Sequence, residues 1–181
     1  MEDLLHWYVA VNMFQNFCRQ VFDLGIKDLK NRKAIDIKKT DCISGLIRRQ
    51  TIQNIERIAE RVLIQDIHRK KETGFLQGKT PEEQYRFYHE KWLDCRENVY
   101  KILKEFPELA RLLFMEIQCN YELADEILEH LETDHSQIIK TFCDGRDFGD
   151  IREVSFMGDA HNRGKKTARV ELDNGVTCKR F

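Results

Sequence analysis

The sequence is short of helix breakers, of paired cysteines and of long apolar runs. It has only two prolines and nine glycines, and five of those glycines (Gly145, Gly149, Gly158, Gly164 and Gly175) come after residue 144. That distribution predicts a helical body followed by a tail of another kind. No two of the six cysteines form a C-x-x-C pair. Cys18, Cys42, Cys95, Cys119, Cys143 and Cys178 stand 24 to 53 residues apart, which argues against a zinc knuckle. A chain of this size needs no disulfide framework, so free buried thiols in a reducing cytoplasm are expected. No apolar run approaches the roughly 20 residues that cross a bilayer. The N-terminus carries Glu2, Asp3 and His6 where a secretory signal has a basic lead. The expected place is therefore cytoplasmic, with no membrane partner. An excess of one charge is lacking too: 30 basic against 31 acidic residues leave a net charge of −1, which excludes a generic nucleic-acid binder.

Enough apolar and aromatic surface is present, 41% and 10% of residues, to bury a real core and to exclude wholesale disorder. At 181 residues the chain suits one domain, or one with a small appendage. The near-zero net charge conceals segregation. Residues 26–71 hold 13 Lys/Arg against 6 Asp/Glu, whereas residues 105–136 hold 9 acids and a single arginine. Packing the two surfaces together is the simplest use for them.

Leu4, Leu5, Val9, Met13, Phe17, Val21 and Phe22 recur at helical spacing and predict a first helix over residues 4–24, with Gly25 as its stop. Residues 31–41 are charged and aperiodic, which predicts a loop. A long helix is expected from about Ser44, its stripe formed by Leu46, Ile47, Ile52, Ile55, Ile58, Ala59, Val62, Leu63 and Ile67. Its polar face carries Arg48, Arg49, Arg57, Arg61, Arg69 and Lys70, read either as a solvated face or as a surface for a peptide or phosphate. Thr80-Pro81-Glu82-Glu83 combines a capping residue, a first-position proline and the acid of a capping box. A helix from there to about Lys104 is expected to bury Tyr85, Tyr88, Trp92, Val99 and Leu103. Pro107 opens another, with Leu109, Leu112, Leu113, Ile117, Leu123, Ile127, Leu128 and Leu131 inward and Glu116, Glu122, Asp125, Glu126, Glu129 and Glu132 outward. Glu129, His130 and His135 do not make a metal site, for they lack an i, i+4 His pair or a third spaced ligand. A short helix capped by Asp134 ends near Cys143.

From Asp144 the pattern changes to short strands. Residues 154–156 and 167–172 alternate or carry β-formers, Asp173-Asn174-Gly175 is a hairpin turn, and residues 176–179 begin a third strand. The expected division is a helical region over 1–148 and a small antiparallel sheet over 149–181, cut off within or just after its third strand, with an open edge that suggests a severed domain. Between the first two strands lies Gly158-Asp159-Ala160-His161-Asn162-Arg163-Gly164-Lys165. A glycine-bounded turn of this kind can aim backbone N–H groups at a phosphate, and a carboxylate one residue from an imidazole suits proton transfer. An ordinary hairpin with an Asx-turn at Asp159 explains the same residues. A Walker A loop is excluded, because five residues separate Gly158 from Gly164 where four are needed, and a strand follows. With Lys179 on the third strand, the arrangement is similar to the opening strands of a protein-kinase N-lobe.

These residues, followed by Val170, Leu172, Asn174-Gly175 and Lys179, resemble the start of the dehydratase domain of class II (LanM-type) lanthipeptide synthetases. That family shows G-D-x-H-x-x-G-[RK], then a hydrophobic strand, D-G and Y-K-P-R. Gly78-Lys79-Thr80-Pro81-Glu82-Glu83 matches its G-x-T-P-E-E helix start, and Phe106-Pro107-Glu108-Leu109-Ala110-Arg111-Leu112-Leu113 its Y-P-x-L-A-R-L-L helix. The resemblance covers residues 50–181. It departs at the end, where Cys178 replaces the aromatic before the lysine and Arg180-Phe181 replaces Pro-Arg.

The resemblance implies a helical cap leading into a lipid-kinase-like lobe. Family members use ATP and Mg²⁺ to phosphorylate Ser and Thr of a leader-bearing precursor peptide, then eliminate phosphate to give dehydroamino acids. A separate zinc domain closes thioether rings. Asp159 and His161 fall on the pair tied to phosphate elimination, while Gly164 and Lys179 fall on the nucleotide-phosphate contacts. The catalytic loop, the metal ligands and the zinc cyclase lie beyond residue 181 in that family. The expectation is thus an N-terminal dehydratase fragment or one part of a split system, which binds no cofactor alone, is inactive alone, and has the precursor peptide and the rest of the synthetase as partners. The rival is a non-catalytic helical adaptor whose basic face docks an acidic peptide.

Overall fold

The computed structural model describes residues 14–32, 37–161 and 165–180. Among them the protein is mainly α, with a small three-stranded antiparallel sheet at its C-terminal end. Helix α1 is Gln15–Arg32; the part of the expected first helix before residue 14 lies outside the described residues. Gly25 does not stop it. Glycine costs a helix interior only about 1 kcal/mol, and burial of Leu29 beyond it favours continuation. Helix α2 is Ile37–Glu72, so the loop expected over residues 31–41 is helical at Asn31, Arg32 and from Ile37 onward; residues 33–36 lie outside the described residues. A charged stretch without Gly or Pro has adequate helix propensity even where it lacks an apolar stripe.

Helix α3, Pro81–Phe87, begins as its sequence demands. The Thr80 hydroxyl accepts from the Glu83 N–H at 3.3 Å, and the Glu83 carboxylate accepts from the N–H groups of Thr80 and Lys79 at 3.4 and 2.7 Å. Gly78 is required just upstream. Its φ is +130°, and a Cβ there would stand 2.6 Å from Glu83 Cβ and 2.9 Å from the Gln84 nitrogen, so any side chain collides with the helix start.

The single helix expected to run on to Lys104 is broken. A π-helical turn covers Tyr88–Trp92, and α4 starts afresh as Arg96–Glu105. The carbonyls freed at the break find side-chain partners: Trp92 O accepts from Asn98 Nδ2 at 3.2 Å, and Leu93 O from Gln20 Nε2 at 2.6 Å. Helix α5 is Pro107–Thr133 and α6 is His135–Phe142. Asp134 stands at the cap position of α6 but makes no side-chain cap bond.

Two compact units emerge. One takes the chain up to Gly25 with Ile52–Phe114; the other takes Ile26–Thr51 with Met115 onward. The first is wholly helical among its described residues, around Phe17, Val21, Ile55, Leu63, Tyr88, Leu93, Val99 and Leu113. The second buries Ile43, Ile47, Ile117, Tyr121, Ala124 and Ile127 on its helices and Val154, Ala168, Val170 and Leu172 on its sheet. Strand β1 is Ile151–His161, β2 is Lys165–Leu172 and β3 is Thr177–Arg180, in the order β1-β2-β3. The turn between β2 and β3 places its positive φ on Gly175 alone, at +81°. Gly175 N–H donates to Leu172 O, and Leu172 N–H to Val176 O, each at 2.9 Å.

Candidate functional site

The sheet carries the residues singled out above. Opposite pairs run Val154–Val170, Ser155–Arg169 and Met157–Thr167; the register then shifts, and His161 pairs with Lys165. Asp159 and His161 therefore belong to the end of β1 rather than to a free loop, in a stretch where β1 holds more residues than β2 opposes. Gly164 lies outside the described residues. Asp159, His161 and Lys179 are placed by backbone alone. Lys179 stands opposite Arg169, four positions along β2 from Lys165, or about 13 Å of strand rise. The register thus keeps Asp159 and His161 together and sets Lys179 at another level.

The outer edge of β1 is held by a side chain. The Gln50 amide donates from Nε2 to Phe156 O at 3.1 Å and accepts from Phe156 N–H at Oε1 at 2.9 Å, as a neighbouring strand would. Behind it, Asn120 Nδ2 donates to Thr51 Oγ1 at 3.0 Å and to Glu116 Oε1 at 2.9 Å. Both Thr51 and Asn120 are completely buried.

The inner face of the same unit borders a cleft of ≈ 290 Å³ lined by Ile127, His130, Leu131, Asp134, Ile138, Val170 and Cys178. Its polar rim is His130, whose Nδ1 lies 3.8 Å from Asp134 Oδ2. His135 turns elsewhere, with Nε2 3.5 Å from Asp147 and its ring 4.9 Å from that of Phe148. Burial, reinforced by nearby Cys143, pushes the Cys178 thiol pKa up, which keeps it protonated and weakly nucleophilic. The five described cysteines form no disulfide; Cys18 and Cys143 are buried, while Cys95, Cys119 and Cys178 are partly exposed.

The helical unit holds a second polar cluster. Asp66, 1% exposed, accepts from Tyr88 Oη at 2.9 Å, Lys70 Nζ at 2.9 Å and Arg69 Nη2 at 3.3 Å. Arg69 also pairs with Glu105. Lys70 Nζ sits 4.1 Å from the Trp92 ring centroid, and Phe75 meets the edge of that ring at 5.0 Å. Burial, then the Asp66 charge, pushes the Tyr88 phenol pKa up, so it serves as a hydrogen-bond donor. Asp66 carries no motif. The one available signal was an acid on the apolar side of a helix, with Arg and Lys three and four residues later. Among the described residues no three His, Cys, Asp or Glu side chains stand together as metal ligands, and no helix is long and apolar enough to cross a membrane.

Residues 106–178 match a family described as a domain of unknown function, DUF4135. The match runs from the start of α5 into β3 and includes every residue that lines the cleft. The chain is also 24% identical over 157 residues to the lacticin 481/lactococcin biosynthesis protein LcnDR2 of Lactococcus lactis subsp. lactis. That alignment takes in 87% of this chain and 15% of the relative's length.

Proposed function

We propose that this chain has a lanthipeptide-synthetase-related role, as part of a dehydratase that phosphorylates Ser and Thr of a precursor peptide and then eliminates the phosphate. One observation carries the proposal: the ordered Gly158-Asp159-x-His161-x-x-Gly164-Lys165 landmark occurs, with a lysine on the third strand, in a chain similar to a lacticin 481 biosynthesis protein. The whole enzyme's activity, its precursor peptide and its remaining segments are part of the proposal, because the chain spans 15% of that relative.

ATP, when bound, supplies the phosphoryl group. Lys179, with Arg169 directly opposite, offers positive charge to its phosphates, and Gly164 is the other position that the resemblance assigns to phosphate contact. Positioning and charge neutralisation are most of what phosphoryl transfer requires. In the elimination half, His161, oriented by Asp159, takes the α-proton of the phosphorylated residue; the C–O bond breaks, a C=C bond forms, and inorganic phosphate leaves. The magnesium ligands and the zinc site of the later ring-forming step belong to segments other than this one.

The test is His161→Ala in a complete synthetase containing this segment, followed by mass spectrometry of the precursor. Elimination should slow by about 10²-fold or more, so that peptide accumulates with the added mass of phosphate. Wholly unmodified peptide would assign the turn to nucleotide binding alone, and normal dehydration would return it to an ordinary hairpin.

A further inference from the structure

The basic run along α2 is not one surface. Arg69 and Lys70 are taken up by Asp66, Glu105 and the Trp92 ring. Arg57, Arg61, His68 and Lys71, by contrast, are exposed and make no side-chain hydrogen bond or ion pair among the described residues. Between them lies Ile64, at 39% exposure one of the few large apolar side chains left open. Positions 57, 61, 64, 68 and 71 step by four and three. At about 100° per residue all five fall within an arc of about 80°, over roughly 21 Å of helix. The four-and-three spacing is that of a coiled-coil seam, with charged residues in most of the places where such a seam is apolar. Glu60 and Glu72 flank it about 60° to either side, leaving its centre with three permanent cations around one aliphatic residue.

We infer that this stripe is a docking surface for an acidic amphipathic helix of another protein. The partner would set an aliphatic residue against Ile64 and carboxylates, at the same four-and-three spacing, toward Arg57, Arg61 and Lys71. Charge and periodicity together select that occupant: a purely apolar helix would leave the cations unpaired, and a basic one would be repelled. A second copy of this chain is the poorer match, since its own acidic helix is engaged internally. Glu116 accepts from Asn120, Glu122 accepts from Gln118 at 2.7 Å, and Glu126 and Glu132 have partners within the fold. None of this depends on the dehydratase proposal.

The probe is a labelled peptide of about 16 residues, enough to cover the stripe, with Glu at the four-and-three positions around a central Leu. Fluorescence anisotropy with the 181-residue chain should show saturable binding that falls with added salt. Arg57→Glu with Arg61→Glu should weaken it by about tenfold or more, and Ile64→Asp should weaken it as well. Thermal melts of these variants should match the parent. If the charge reversal lowers the melt, the Arg57→Gln/Arg61→Gln pair replaces it. Absence of binding overturns the inference, as does equal binding of a Lys-for-Glu peptide or of single-stranded DNA of equal charge. Self-association of the parent chain in sedimentation, abolished by the charge reversal, would overturn it in favour of a second copy.

Discussion

In the helical unit the central buried polar group is a carboxylate, Asp66, answered by a phenol and two cations. In the unit that carries the sheet the two buried polar residues among those described are neutral, Asn120 on Thr51, with the Glu116 carboxylate accepting a further bond from Asn120 and the partly buried Gln50 amide lying on a strand. A buried charge tolerates no missing partner, because the group left behind cannot be solvated. Neutral hydrogen bonds fail by degrees, each with a net worth of about 1 kcal/mol. One unit should therefore respond to mutation abruptly and the other gradually.

The largest effect expected is that of Asp66→Ala. It leaves the fully buried Tyr88 hydroxyl with only a long 3.5 Å bond to Leu63 O, and it strands Lys70, whose side chain is only 17% exposed. Arg69 is 43% exposed and recovers water, so the loss should be about 3 kcal/mol rather than more, read from urea unfolding. A loss below about 1 kcal/mol would mean that the cluster is no more than a neutral network, and the contrast between the units would disappear.

Gln50→Ala comes next, at about 1–2 kcal/mol for two amide–backbone bonds. Amide exchange at Phe156 should accelerate while exchange in the interior of α2 does not. Protection at Phe156 equal to that of the parent would show that Gln50 merely rests on the strand.

The smallest effect sharpens the comparison through pH. Glu56, in the helical unit, has a buried Oε1 with no hydrogen-bond partner among the described residues, and its pKa is raised above the usual 4.5 by burial first and the Glu60 charge second. A carboxyl with a raised folded pKa contributes its stability below the unfolded pKa and loses it as pH rises through the folded value. Glu56→Gln should thus raise Tm at pH 7, and the gain should close toward pH 4. A gap that does not depend on pH would assign the effect to packing instead.

What the sequence disclosed follows the range of the interactions involved. The capping box at Thr80–Glu83, the stripe of Pro107–Thr133 and the β2–β3 turn rest on contacts within a few residues, and each could be read directly. The break after Trp92 could not, because it depends on Gln20 capturing Leu93 O, 73 residues away in sequence. Gly25 misled because breaker statistics describe isolated helices, whereas burial of Leu29 decides here. At the candidate site the Asp159/His161 motif was legible. Its register was not, since the extra residues of β1 are absorbed by a bulge that no spacing announces. Asp66 went unnoticed because its value lies in Tyr88, 22 residues on.

The Gln50 amide also has a meaning in time. A ribosome releases Gln50 more than a hundred residues before Phe156, so the group that closes the outer edge of β1 is waiting when that strand emerges. A hairpin born without such a chaperone in its own chain would offer that edge to any passing strand, including the next copy on the same message. The long helix thus guards the order of synthesis as well as the finished sheet.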